Sequence, residues 1–121
     1  MDDKTKKLIQ SMPIWKNNFK IKTIDGGLTN QNFLVQENSS KFVVRLGDDI
    51  PEHLVSRSNE LIASKAASEA NISPKIIYSD KGILVLEYIE STTLTAKDVR
   101  DKINLIIPIL KKIHLDIPKN I

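Results

Sequence analysis

The sequence predicts an α+β fold: a five-stranded antiparallel sheet with one long packed helix, plus a helix at each end. Two observations carry this expectation. Segments in which apolar and polar residues alternate come in the order three strands, one helix, two strands, with turns of hairpin length between neighbours. The helix that divides them carries Ala63, Ala66, Ala67 and Ala70 at helical spacing, which favours close packing on a sheet.

The elements follow in chain order. A first helix spans Asp3 to Met12, with Leu8, Ile9 and Met12 on one face and Pro13 closing it. Strands are predicted at Phe19–Ile24, Asn32–Gln36 and Lys41–Gly47, the last two joined by the polar turn Glu37–Ser40. The long helix runs from Glu52 to Asn71 and ends before Pro74. Strands Lys75–Ser79 and Gly82–Ile89 turn at Asp80 and Lys81. The last helix opens on Thr95 and Asp98, spaced as a capping box, and aligns Val99, Ile103, Ile106, Leu110 and Ile113 on one stripe. Pro108 inside that stripe removes a backbone donor and crowds the preceding turn, so a kink or two abutting helices are expected there.

Composition narrows the function classes. The 121 residues are 40% hydrophobic and 27% charged, as in an ordinary soluble fold. There is no cysteine, and His53 and His114 are far apart, which argues against a metalloprotein. The N-terminus has too short an apolar stretch for a signal peptide, and the run Ile103–Leu110 falls short of a membrane span, so the expectation is a cytoplasmic chain without one. The net charge of +3 is modest and its lysines are scattered among few aromatic residues, which speaks against a nucleic-acid partner.

Three features carry chemistry. In the stretch Asp25–Asn32, Gly26 and Gly27, followed by Leu28, allow close backbone approach to a ligand, and free N–H groups in such a loop suit phosphate oxygens. Thr29, Asn30, Gln31 and Asn32 add side-chain donors, although the same composition also suits an ordinary loop. Arg45 shares a strand face with Lys41 and Val43, placing a cation two residues from an apolar platform. Glu60 on the long helix, with Ala63 and Ala67 on its side, is in position to reach the sheet and orient Arg45 by a bidentate ion pair. Taken singly, Arg45 also reads as a strand-edge arginine reaching water, and Glu60 as a surface glutamate.

Order and spacing join these features. A hairpin with a glycine loop, a strand cation, a helix acid and two strands ending in "LEYIES" resemble a kinase-like nucleotide-binding lobe. In that arrangement Glu87, Tyr88 and Ile89 form a hinge: the Glu87 carbonyl and the Ile89 N–H meet the adenine edge, while Ile24, Val43 and Ile77 cover its faces. The segments "GGLTNQNF", "FVVRLG", "RSNE", "ISPKIIYSDKGILVLEYIES" and "LTAKD" are similar to the N-terminal lobe of the choline/ethanolamine kinase family, within the wider aminoglycoside phosphotransferase group. The resemblance covers roughly Ile21 to His114, and arginine rather than lysine at position 45 resembles the choline kinase branch. It implies ATP and Mg²⁺ as ligands, a small amino alcohol as phosphate acceptor, and Glu60 as the structural partner of Arg45.

The family's catalytic aspartate, asparagine and metal-binding aspartate lie in a second, helical lobe. His114 and Asp116, with Asn120 beyond them, mimic its catalytic-loop spacing but follow directly on the first helix after the hinge; His114 is assigned to packing at the helix end. The expected organisation is a nucleotide-binding lobe over 1–90 and, over 91–121, the exit from the hinge and the first connecting helix of a missing lobe. Such a chain alone is expected to be inactive, with no metal ligands of its own, and to self-associate through an apolar face on the last helix. An aminoglycoside or other small-alcohol kinase fragment and a non-catalytic interaction module are the alternatives.

Overall fold

The computed structural model describes residues 1–24 and 29–117. Its strands are β1 (Phe19–Ile24), β2 (Gln31–Glu37), β3 (Ser40–Leu46), β4 (Ile76–Asp80) and β5 (Ile83–Glu87), and its helices α1 (Asp3–Gln10), α2 (Arg57–Glu69), α3 (Ala96–Asp101) and α4 (Ile103–Leu115). The strands form one antiparallel sheet in the order β1-β2-β3-β5-β4. This is the α+β architecture expected from the alternation.

Alternation sorts the sheet into two faces. Phe33, Val35, Val44, Leu46 and Val85 point to one, where Ile9 and Met12 of the α1 segment close over them as the core. Ile9, Val35, Val44 and Val85 are 0% exposed. Trp15 adds to this lid: its indole donates to the Ile9 carbonyl at 2.7 Å and its ring meets Phe19 and Phe42 at 5.0 and 5.5 Å. Leu8, expected on the apolar face of α1, is exposed instead, since the helix turns only Ile9 and then Met12 inward. The opposite face presents Asn32, Val43, Arg45, Leu84 and Leu86.

Two short turns set the registers. Asn38, with φ of 54°, carries the reversal between β2 and β3. Gly82 at the β4–β5 turn has φ of +72°, and a Cβ there would lie 2.8 Å from the Gly47 carbonyl oxygen. Because that oxygen is backbone and the left-handed region disfavours any side chain, Gly82→Ala is expected to cost roughly 2–3 kcal/mol. Urea unfolding checks this, and an unchanged midpoint would contradict the turn geometry.

The long helix begins later than Glu52. Pro51–His53 make one 3₁₀ turn, Leu54 adopts φ of 57°, and Ile50 and Val55 pair as an isolated bridge before Ser56 caps α2 by accepting from the Asn59 N–H. Proline at the first position suits a helical turn, but the left-handed Leu54 ends it at once. The far end closes as a Schellman motif: Asn71 has φ of 61°, its N–H reaches the Ser68 carbonyl, and the Ile72 N–H reaches that of Ala67. Arg57, Glu60, Leu61, Ser64, Ala67 and Ser68 form the half-buried side of α2, whereas Ala63, expected against the sheet, is exposed.

The last helix is broken, though not at its proline. α3 and α4 meet at Lys102, and α4 continues through Pro108. The Asp98 capping box closes α3 as expected, and its hydrogen bonds from the Thr95 backbone and hydroxyl hold the Asp98 carboxyl below its ordinary range. Pro108 has no N–H to offer the Asn104 carbonyl, yet the helix runs unbroken from Ile103 to Leu115. On α4, Ile103, Ile107, Ile109, Leu110 and Ile113 are exposed, and Leu105 and Leu115 reach 70% and 79%. His114, expected to pack at the helix end, is exposed as well. Among the described residues no helix is long and apolar enough to cross a membrane.

Candidate functional site

The site forms where α2 packs against the polar end of the sheet. Arg45 stands on β3 opposite Asn32 of β2 and Leu84 of β5, on the face away from the core. Its Nη1 donates to Glu60 Oε1 at 3.2 Å and its Nε to Asn32 Oδ1 at 3.3 Å. Asn32 Nδ2 in turn donates to Asn30 Oδ1 at 3.1 Å. The residues that the sequence singles out, Asn30, Asn32, Arg45 and Glu60, therefore form one chain of contacts.

The contact between Arg45 and Glu60 is not bidentate. Glu60 spends one oxygen on each of two arginines, because Arg57, one helical turn earlier, donates Nη1 to Oε2 at 2.7 Å. Arg57 also donates Nε to the Asp48 carbonyl at 2.9 Å and Nη2 to the Thr29 carbonyl at 2.5 Å, and its own N–H reaches Asp49 Oδ1 at 2.7 Å. The result is a closed ring running Glu60, Arg45, Asn32, Asn30, across the backbone to Thr29, Arg57 and back to Glu60. Sequence reasoning passed over Arg57. Its i,i+3 spacing to Glu60 in "RSNE" was a legible signal; its contacts with Thr29 and Asp48, distant in sequence, were not.

Exposure separates the two arginines. The Arg57 side chain is 12% exposed with all three guanidinium nitrogens engaged, whereas Arg45 is 35% exposed and its Nη2 makes no hydrogen bond among the described residues. Among the described residues Arg45 is thus the arginine of the ring that keeps a guanidinium nitrogen unengaged. Gly47 makes the arrangement possible: a Cβ there would fall 2.5 Å from Arg57 Nη2. Beside the pair opens a cavity of about 560 Å³, lined by Gly47, Arg57, Glu60, Leu61 and Leu84 among others.

The remaining predicted positions are spread along the sheet. Gly26, Gly27 and Leu28 lie outside the described residues. Gln31 opens β2 exposed and opposite Leu46, next to Asn32 but on the other side of the strand. Val43 lies on the Arg45 face, between Leu34 and Leu86. Ile24 ends β1 opposite Asn32, and Ile77 sits on the other edge strand, at the register shift between Ile76 and Tyr78. Glu87, Tyr88 and Ile89 occupy the opposite end of the sheet, where β5 exits. There the Tyr88 N–H bonds to the Lys41 carbonyl at 3.2 Å, and Lys41 Nζ lies 5.4 Å from the Tyr88 ring centre. The Ile89 N–H has no hydrogen-bond partner among the described residues. Among the same residues no group of three or more His, Asp or Glu side chains comes together as a metal site.

Comparison with known proteins places this geometry. Residues 21–120 match the family model described as choline/ethanolamine kinase. A choline kinase from Schizosaccharomyces pombe is 34% identical over an alignment of 89 residues that covers 70% of this chain and 20% of that protein. The crystal structure of choline kinase LicA from Streptococcus pneumoniae superposes with a TM-score of 0.68 at 29% identity, covering 93% of this chain and 39% of LicA. An ethanolamine kinase from Plasmodium vivax shares the fold, with a TM-score of 0.57 at 18% identity over 83% of this chain and 34% of its own. The chain thus spans about a fifth of the length of the curated relative and less than two fifths of either structure.

Proposed function

The chain belongs to the choline/ethanolamine kinase family, and on that premise we propose that it is the ATP-binding lobe of a small-molecule phosphotransferase. The reaction it serves is transfer of the ATP γ-phosphate to the hydroxyl of a small amino alcohol. One observation supports this above the others: an arginine with an open edge, held by a helix glutamate, at the end of the sheet where the chain between β1 and β2 returns.

In this reading Arg45 donates to phosphate oxygens and Glu60 keeps its guanidinium aimed at them, as a charge-assisted pair does. Gly26, Gly27, Leu28, Thr29, Asn30, Gln31 and Asn32 cover the phosphates. Val43, Ile24 and Ile77 provide apolar contact for the adenine. The Glu87 carbonyl and the Ile89 N–H pair with its edge beside Tyr88. Residues 1–90 form this lobe and 91–121 lead out of the hinge. Mg²⁺ bound with the nucleotide would neutralise phosphate charge. Its protein ligands, like the acceptor site, belong to the part of the kinase fold beyond the lobe. A cytoplasmic setting and self-association through the exposed face of α4 complete the reading.

Calorimetric titration of ATP into the purified chain, with and without Mg²⁺, tests it. Measurable binding to ATP, with adenosine binding more weakly, is the expected result. An absence of ATP binding under both conditions would refute a preformed nucleotide site.

A further inference from the structure

We infer that Arg57 is a positioning residue for the nucleotide phosphates: it fastens the chain entering β2 to the glutamate that holds Arg45. The inference rests on the nucleotide reading above. Glu60 anchors two threads that end on adjacent residues. One passes through Arg45 and the Asn32 side chain to Asn30; the other passes through Arg57 directly to the Thr29 carbonyl. The β2–β3 ladder pairs Asn32 with Arg45, and the two threads extend that hold to Asn30 and Thr29, the residues just before the strand.

The chemistry requires arginine at position 57. Its planar fork sends Nε, Nη1 and Nη2 to acceptors on three different segments, the Asp48 carbonyl, Glu60 Oε2 and the Thr29 carbonyl. A lysine keeps the charge but offers its donors from a single point, so it can hold Glu60 or Thr29 and not span both with Asp48. Burial argues the same way: the guanidinium lies against Gly47 where a Cβ would intrude, its side chain is 12% exposed, and all three of its nitrogens already donate to protein oxygens. Arg57 acts on an anion only through where it places Thr29, Asn30 and Arg45.

The discriminating variant is Arg57→Lys, with two independent measurements on the purified chain. The first, without nucleotide, is the carbonyl ¹³C resonance of Thr29, which should move upfield as it loses a charged donor. The second is the pair of affinities for ATP and adenosine: ATP affinity should fall about ten-fold, the loss of one charge-assisted constraint, while adenosine affinity stays unchanged. A merely structural role would lower both affinities together. A Thr29 carbonyl that does not move would overturn the tie itself, whatever the nucleotide does. A carbonyl that moves while ATP affinity holds would overturn the positioning role. Failure of the unsubstituted chain to bind ATP, with the carbonyl shift present, would instead overturn the nucleotide reading and remove the ligand role with it, leaving the tie standing.

Discussion

Arg45→Ala is expected to lower the affinity of the chain for ATP by roughly ten- to hundred-fold, the range that corresponds to losing one or two hydrogen bonds from a charged donor. Stability should scarcely change. The Arg45 side chain is 35% exposed and Glu60 keeps its second oxygen on Arg57, so the substitution opens a partly solvated ion pair worth little to folding. The two effects thus separate, and calorimetry beside thermal unfolding reads both. Glu60→Ala supplies the contrast: it leaves the Arg45 guanidinium in place but unaimed, and should weaken ATP by less. Equal indifference of ATP affinity to both substitutions would sink the assignment of the pair to phosphate.

Ile9→Ala should have the largest effect on stability, about 2–5 kcal/mol against a total of roughly 5–15 for a domain of this kind. Ile9 is 0% exposed and is the point at which α1 closes the core face of the sheet. Its carbonyl also receives the Trp15 indole, so the cavity would form beneath a lid anchored at the same residue. Leu8→Ala, at an exposed neighbour, is the control. Denaturant midpoints should move strongly for the first and scarcely for the second. Similar small shifts would mean that α1 does not seal the core.

The strands were legible because their information is local. Val43, Val44, Arg45 and Leu46 alternate between a filled and a polar face, and the ladder reproduces that alternation residue by residue. The start of α2 was harder, since Glu52–Val55 has nothing in it that forbids a helix; the Ile50–Val55 bridge and the left-handed Leu54 come from how the loop folds back on itself. Pro108 was expected to mark the break, but α4 runs through it and the chain breaks at Lys102, which has no side-chain cap. In the site, Arg45 and Glu60 were legible from spacing and residue type. The second oxygen of Glu60 was not, because only the folded chain brings Arg57 to Thr29 and Asp48. On α4 the apolar stripe was visible, yet most of it stays exposed, and His114 beside it is exposed with it.

Gly47 makes the history of this site depend on the order of events. A side chain at position 47 and the guanidinium at position 57 claim the same space, so enlarging residue 47 while the arginine is present requires the guanidinium to leave its contacts. Once Arg57 has been shortened, the space is vacant and position 47 is free to drift. Any larger residue that then settles there shuts the route by which the arginine would return. With glycine at position 47 the guanidinium keeps its place in the ring, and a larger residue there would have to push it aside.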